Sequence, residues 1–372
     1  MSNFIKALSV FVGTIIGVGI FGLPYVASKS GFFVLAFYFL VIGVIGIVIH
    51  LILGDIIIGT KEKHRFPGYV YKYLGKMWGR ISLISICFGI FGAQLAFLII
   101  GGTFLQGLTG SVLGPNILIY VLIFFALGSS LIYRGIKGIA LAEFLIAVLF
   151  FILLLFFCFW AVPEVNPSNL FDFDFNYLIL PYGIVVFALW GSAILPEIKE
   201  ILKGNRKELR KVIFFGILIS ATTYLLFTSL VVGISGPLTS EDAFSGLINK
   251  LGTGVVKLGY IFGLIACFSS FISLGLTLKN IFFYDIHISK NISWLIATFT
   301  SLILFLIGLR QFIQIIGFTG ALSMGVEGFI TILLYRAYLK KKHSRKMNPA
   351  YFLLSLFFLF GVVAQIFHMF LR

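Results

Sequence analysis

Residues Gly13–Val26 read GTIIGVGIFGLPYV. The stretch is apolar enough for lipid, yet it holds four glycines and a proline, residues that undo helices. A spanning helix must satisfy its own backbone, and irregular backbone at membrane depth is tolerated only where it lines a protected cavity. A segment of this kind is therefore either a helix-packing face, as Gly13-x-x-x-Gly17 alone can be, or a deliberate break.

The rest of the chain supplies the membrane context. Of 372 residues 60% are hydrophobic and only 11% charged, against about 25% charged in soluble domains. Runs such as FLIAVLFFILLLFFCFWAV (144–162) reach the roughly 20 residues needed to cross a bilayer. The apolar runs predict eleven transmembrane helices near 4–30, 32–59, 81–108, 116–133, 137–162, 177–198, 212–234, 254–281, 292–309, 312–338 and 349–370. The whole chain, 1–372, is expected to be one all-α polytopic membrane domain. The first run continues past Val26 with no small-residue cleavage site, so it is expected to be a retained span. Cys87, Cys158 and Cys267 all lie in apolar runs with no paired spacing, as small core residues do.

Charge placement explains the net +15 without invoking nucleic acid. Only Lys29, Lys250, Lys257, Arg310 and Arg372 fall on the far side of this topology; the other lysines and arginines fall on the N-terminal side. The positive-inside rule then places the N-terminus in the cytoplasm and the C-terminus outside a plasma membrane.

GIFGLP (19–24) has a counterpart in GSAILP (191–196), with the glycine and the proline at the same spacing. One lies in the first predicted span and one in the sixth, each opening a run of five. Five is odd, so the second run enters from the opposite side. The sequence thus predicts inverted repeats over about 4–162 and 177–338, with an extra helix at 349–370. Interrupted spans at matching positions of two halves point to a midplane binding site built from half-helix ends.

GTIIGVGIFGLPYV resembles the first span of the amino acid–polyamine–organocation transporter superfamily, whose pattern is approximately G-[TS]-x-I-G-x-G-I-x-x-x-P. With FALWGSAILPEIKEI (187–201) and ACFSSFISLGLTL (266–278), the chain resembles most the amino acid/auxin permease and aromatic amino acid permease branches. The resemblance implies a LeuT-type five-plus-five inverted repeat and secondary active transport of an amino acid. It implies that the N–H groups of Val18 and Gly19 meet the substrate carboxylate. The carbonyls of Ile15, Phe187, Ala188 and Trp190 would meet its ammonium, with Phe187 as an aromatic gate. In sodium-coupled members a cation sits between spans one and eight, which maps here to Gly13 and Ile16 with Ala266, Ser269 and Ser270. Serines also serve as small packing residues, and proton-coupled relatives carry a similar run. Relatives that replace this cation with a mid-span-five lysine are not matched, since Lys137 stands only at the start of that span. The coupling ion is therefore expected to be Na+ or H+, with no other cofactor.

Ionisable residues inside spans are functional candidates by default. His50 and Asp55 fit helix-end or gating roles in span two, and Glu143 fits a structural pairing. Glu197, just after Pro196, fits a gate, a coupling group or a structural role. Glu327, flanked by Gly325 and Gly328 with no basic neighbour in its span, is the candidate proton carrier. Gln94 faces either the substrate pocket or a neighbouring helix. Other functions find less support. The five histidines are scattered and no phosphate-binding Gly-Lys motif is present, which argues against a membrane enzyme or an ATP-driven pump. Channels build filters from rings of like residues, and a divalent-metal transporter on this fold would carry Asp-Pro-Gly where Gly17-Val18-Gly19 stands. Phe187 and Trp190, without charged neighbours, point to a neutral amino acid, large and apolar or aromatic. The alternative is another small organic solute or ion on the same fold.

Overall fold

The computed structural model describes residues 2–135, 139–343 and 348–370. The described residues form helices joined by loops, with no strand among them, and the first break falls where glycine predicts it. Helix α1 (Asn3–Ile15) and α2 (Gly19–Ser30) form a pair bent by 53°. They are followed by α3 (Phe32–Gly59), a short α4 (Phe66–Leu74), a long α5 (Lys76–Leu113), α6 (Ile117–Arg134) and α7 (Ile139–Ala161). The second half runs through α8 (Leu180–Leu189), α9 (Leu195–Ile201), α10 (Arg206–Ser235), α11 (Ile248–Asn280), α12 (Lys290–Leu306), α13 (Phe312–Thr319), α14 (Gly325–His343) and α15 (Ala350–Phe370).

Among the described residues, six helices are long and apolar enough to cross a membrane, or seven when α1 and α2 count as one span. Other expected spans are shorter apolar helices, such as Lys290–Leu306, or are divided, as α8 and α9 are. Two features were not foreseen. The basic segment after α3 holds α4, and the tenth apolar run is interrupted by a π-turn at Gly320–Met324 between α13 and α14. Lys137 lies outside the described residues, as does the Glu143 side chain.

Helices α2 and α8, next to the two breaks, pack on each other, and α1 and α2 both pack on α10. Around this centre α3 pairs with α10, and α5 with α6 and α11. Close approach of α8 to the α13–α14 segment depends on glycines. A Cβ on Gly183 would fall on the Gly317 carbonyl oxygen, and one on Gly320 on the Gly183 carbonyl oxygen. Lysines close two helix ends. Lys199 Nζ donates to Ile57 O (2.8 Å) and Thr60 O (3.0 Å) at the end of α3. Lys279 Nζ donates to Ile132 O (2.8 Å) and Tyr133 O (2.9 Å) at the end of α6. Each supplies hydrogen bonds and positive charge where carbonyls lack intrahelical partners. Asp55 ties α3 to the start of α10, accepting from Arg206 (2.7 Å) and Arg210 (2.9 Å). It therefore holds helix ends together.

Gly183→Ala should lower stability by about 1–3 kcal/mol or more, because the obstacle is backbone rather than a side chain that can move. Gly43→Ala, whose Cβ would meet nothing within 4 Å, should be neutral or stabilising by about 0.5–1 kcal/mol. Thermal unfolding of the two variants in one detergent tests the contrast.

Candidate functional site

The first break forms because α1 cannot continue past Ile15. Ile16 closes the helix through its N–H to Val12 O (2.8 Å) and then departs with ψ 87°. Helix α2 restarts at Gly19, so the N–H groups of Val18 and Gly19 stand at a helix start without intrahelical acceptors. The second break runs through Trp190 (ψ 117°) and Gly191 (φ −130°) into a 3-10 turn at Ser192–Ile194, with Pro196 in the first turn of α9.

The two breaks touch. A Cβ on Gly19 would lie 3.1 Å from Ala188 Cβ, and one on Gly191 would lie 2.8 Å from Ile15 Cγ1. Glycine is thus required at both by proximity of the partner segment. Tyr224, fully buried on α10, reaches both chains: its hydroxyl donates to Ile15 O (2.6 Å) and lies 3.1 Å from Ala188 O.

Three hydrogen bonds hold the second break from the sides. The Gly191 N–H donates to His50 Nε2 (3.0 Å), while His50 Nδ1 lies 2.7 Å from Gly46 O. Because Nε2 accepts, the proton of the neutral ring belongs on Nδ1 and is donated to Gly46. Trp190 Nε1 donates to Glu327 Oε2 (3.0 Å), and Ser192 Oγ donates to Glu327 Oε1 (2.5 Å). Three consecutive residues are fixed by one histidine and one carboxyl group. The His50 ring also packs edge-on against Phe11 and Trp190, at centroid distances of 5.9 and 5.4 Å.

A cavity of about 770 Å³ lies against both breaks, within the 300–1,000 Å³ range of small-molecule sites. Ile15, Val18, Gly19, Phe187, Ala188, Trp190, Glu197 and Glu327 all line it. One end is polar and basic, with Arg65, Arg134 and Lys290, and there Arg65 lies 3.5 Å from Glu197. Away from this end, Phe21, Phe104, Phe157, Phe227, Phe244 and Tyr260 form a buried aromatic cluster, with Phe21 and Phe104 5.0 Å apart and Phe244 touching the other five.

Other expected residues lie elsewhere. Gln94 is fully buried and does not line the cavity; its amide faces Gly275 on α11, and neither amide atom has a hydrogen-bond partner among the described residues. Gly13, Ile16, Ala266, Ser269 and Ser270 are also absent from the lining. Helix α7 packs on both α1 and α11, which meet each other at most marginally. The sequence pattern singled out His50 for a helix-end or gating role and missed Tyr224, Ser192 and Lys279. A tyrosine in a span is ordinary by composition. Its target becomes visible only once two remote breaks are brought to it.

The sequence profile of the tryptophan/tyrosine permease family matches residues 1–368. No curated protein matches the chain. Two structures of Mhp1 share its fold. The first, an inward-facing conformation, is 14% identical with a TM-score of 0.69, covering 99% of this chain and 89% of that chain. The second is described as a nucleobase-cation-symport-1 family transporter in a closed conformation with bromovinylhydantoin bound. It is 12% identical with a TM-score of 0.69, covering 99% of this chain and 91% of that chain.

His50→Phe keeps a ring against Phe11 and Trp190 but leaves the buried Gly191 N–H without its acceptor. It should cost about 1–3 kcal/mol, read as a lower unfolding midpoint. An unchanged midpoint would show that this N–H has another partner.

Proposed function

The chain belongs to the tryptophan/tyrosine permease family, and we propose that it carries a neutral amino acid with a large apolar or aromatic side chain, coupled to a cation, by alternating access. It is an integral multi-pass membrane protein and a secondary transporter. The proposed topology has eleven spans arranged as two inverted repeats plus a last helix, with the N-terminus in the cytoplasm. The observation that carries the substrate reading is the meeting of Gly19 with Ala188 on the wall of the 770 Å³ cavity.

A zwitterion needs donors for its carboxylate and acceptors for its ammonium. The N–H groups of Val18 and Gly19 open a helix and favour an anion. The carbonyls of Phe187 and Trp190, with those of Ile15 and Ala188 beside Tyr224, favour the ammonium. Ile86, Ile90, Ala93, Phe97 and Phe187 offer the side chain an apolar wall with aromatic faces. No charge in that wall selects a cationic or acidic side chain.

For coupling, Glu327 supports the proton reading because it both lines the cavity and holds Trp190 and Ser192. A carboxylate accepts from both. Protonated, one of its oxygens becomes a donor. Trp190 can only donate, whereas the Ser192 hydroxyl can reverse, so Oε1 is the atom able to take the proton while the break keeps both bonds. The sodium reading requires Gly13 and Ile16 to close on Ala266, Ser269 and Ser270, bringing α1 against α11.

Uptake of labelled amino acids into proteoliposomes under an imposed sodium or proton gradient tests the whole reading. Accumulation of aromatic or large apolar amino acids is expected, and binding of only cationic or acidic ones would overturn the substrate class. Gly19→Leu should abolish uptake while inserting normally, since its side chain fills the carboxylate position. Glu327→Gln can keep both bonds but cannot cycle a proton. If protons drive transport, it should cut gradient-driven accumulation at least tenfold and spare exchange of substrate across the membrane. Equal losses in both would place Glu327 outside coupling.

A further inference from the structure

We infer that the Tyr224 hydroxyl is a built-in replacement for a bound cation at the point where the two broken spans meet. Helices α1 and α8 both end there, and a helix C-terminus carries unsatisfied carbonyls and partial negative charge. Two such ends converging on one point form the arrangement that elsewhere coordinates a monovalent cation. Here Ile15 O and Ala188 O lie 2.6 and 3.1 Å from a single phenolic oxygen. Tyr224 is fully buried, and Phe39 packs on its ring at a centroid distance of 5.9 Å.

The chemistry of the place suits a hydroxyl. A phenol has one proton, so it serves one carbonyl fully and the other by a longer contact, as the two distances show. The hydroxyl therefore joins the ends of α1 and α8 without any exchangeable ion. Two consequences deepen the transporter reading on which they rest. The substrate ammonium must share Ile15 O and Ala188 O with Tyr224, or rely on the neighbouring carbonyls. Any sodium that drives transport must bind away from this crossing.

The test separates this inference from the substrate assignment, because it needs no amino acid. Thermal unfolding of the purified full chain is followed in sodium chloride and in choline chloride at equal ionic strength. Wild type, Tyr224→Asn, Tyr224→Phe and Tyr224→His are compared. Tyr224→Asn removes the ring and offers an amide carbonyl as a third cation ligand. It is expected to show a saturable sodium-specific rise in midpoint, about 2–4 °C beyond any rise in wild type. Tyr224→Phe leaves both carbonyls without a donor and is expected to have a lower midpoint in choline, partly restored by sodium. Tyr224→His keeps a ring and an N–H donor, so it folds without help from the ion and is expected to respond to sodium no more than wild type. The inference is overturned if Asn and Phe variants respond to sodium no more than wild type, or if the His variant gains the same response. Failure of wild type to transport any amino acid would refute the substrate reading while leaving these midpoints interpretable.

Discussion

Backbone polar groups freed in an apolar interior must find partners, and this requirement organises the centre of the molecule. Breaking a spanning helix once releases N–H groups on one side and carbonyls on the other. Breaking two and bringing the breaks together concentrates both kinds at one depth, where each unsatisfied group costs several kcal/mol. The surrounding helices answer with one side chain apiece. Helix α3 supplies His50 to Gly191, α10 supplies Tyr224 to Ile15, and α14 supplies Glu327 to the two side chains flanking Gly191. The donors at the start of α2 are left facing the cavity. The candidate site is thus what these hydrogen bonds leave over: Val18 and Gly19, whose N–H groups have no intrahelical acceptor, line the cavity.

The same requirement explains features away from the centre. The π-turn at Gly320–Met324 disturbs the helical hydrogen-bond ladder, and Ser85 and Ser323 then bond reciprocally across to it, each hydroxyl donating to the other's carbonyl at 3.0 and 2.7 Å. That exchange anchors α5 to the segment leading into Glu327. Lys199 and Lys279 act likewise at the ends of α3 and α6, and Lys279 does so while lining the cavity. Positive charge that topology alone would place at one membrane face is here also the cap on a helix.

This division between local and remote causes decides what the sequence discloses. Glycine and proline act on their own backbone, so the breaks at Gly19 and Gly191 were legible as matching six-residue patterns. The apolar runs located most helices for the same reason. Partners across helices were not legible, because nothing local distinguishes Tyr224 from a tyrosine packed in lipid, or a Gln94 facing α11 from one facing the cavity. Glu327 stood out only through its cost. Whether Gly13, Ile16, Ala266, Ser269 and Ser270, which the resemblance assigns to a cation, can meet depends on how α1 and α11 approach, which no spacing within either helix records. The largely apolar run 177–198 is one span by length, and the break its GSAILP pattern predicts divides it into two helices.

The basic end of the cavity and the aromatic cluster away from it are built from different materials, and in the proposed transport cycle that difference bears on how a substrate crosses. The basic end is held by an exposed Arg65–Glu197 pair at 3.5 Å, an interaction worth little where water reaches it. The Phe244 cluster is a buried contact of six rings, with aromatic pairs worth about 0.5–1.5 kcal/mol each beyond their burial. A transporter must hold its two forms within a few kcal/mol of each other. In the proposed cycle, opening the aromatic cluster would require compensation of similar size from closing the basic end. Ion pairs at the surface cannot supply it, so the apolar cavity wall from Ile86 to Phe97 and Phe187 must. When that wall folds around a large apolar side chain, burial offsets the separation of the rings. A small polar substrate would leave that exchange unbalanced, so the energetics of the aromatic cluster support the proposed large apolar cargo as much as the shape of the pocket does.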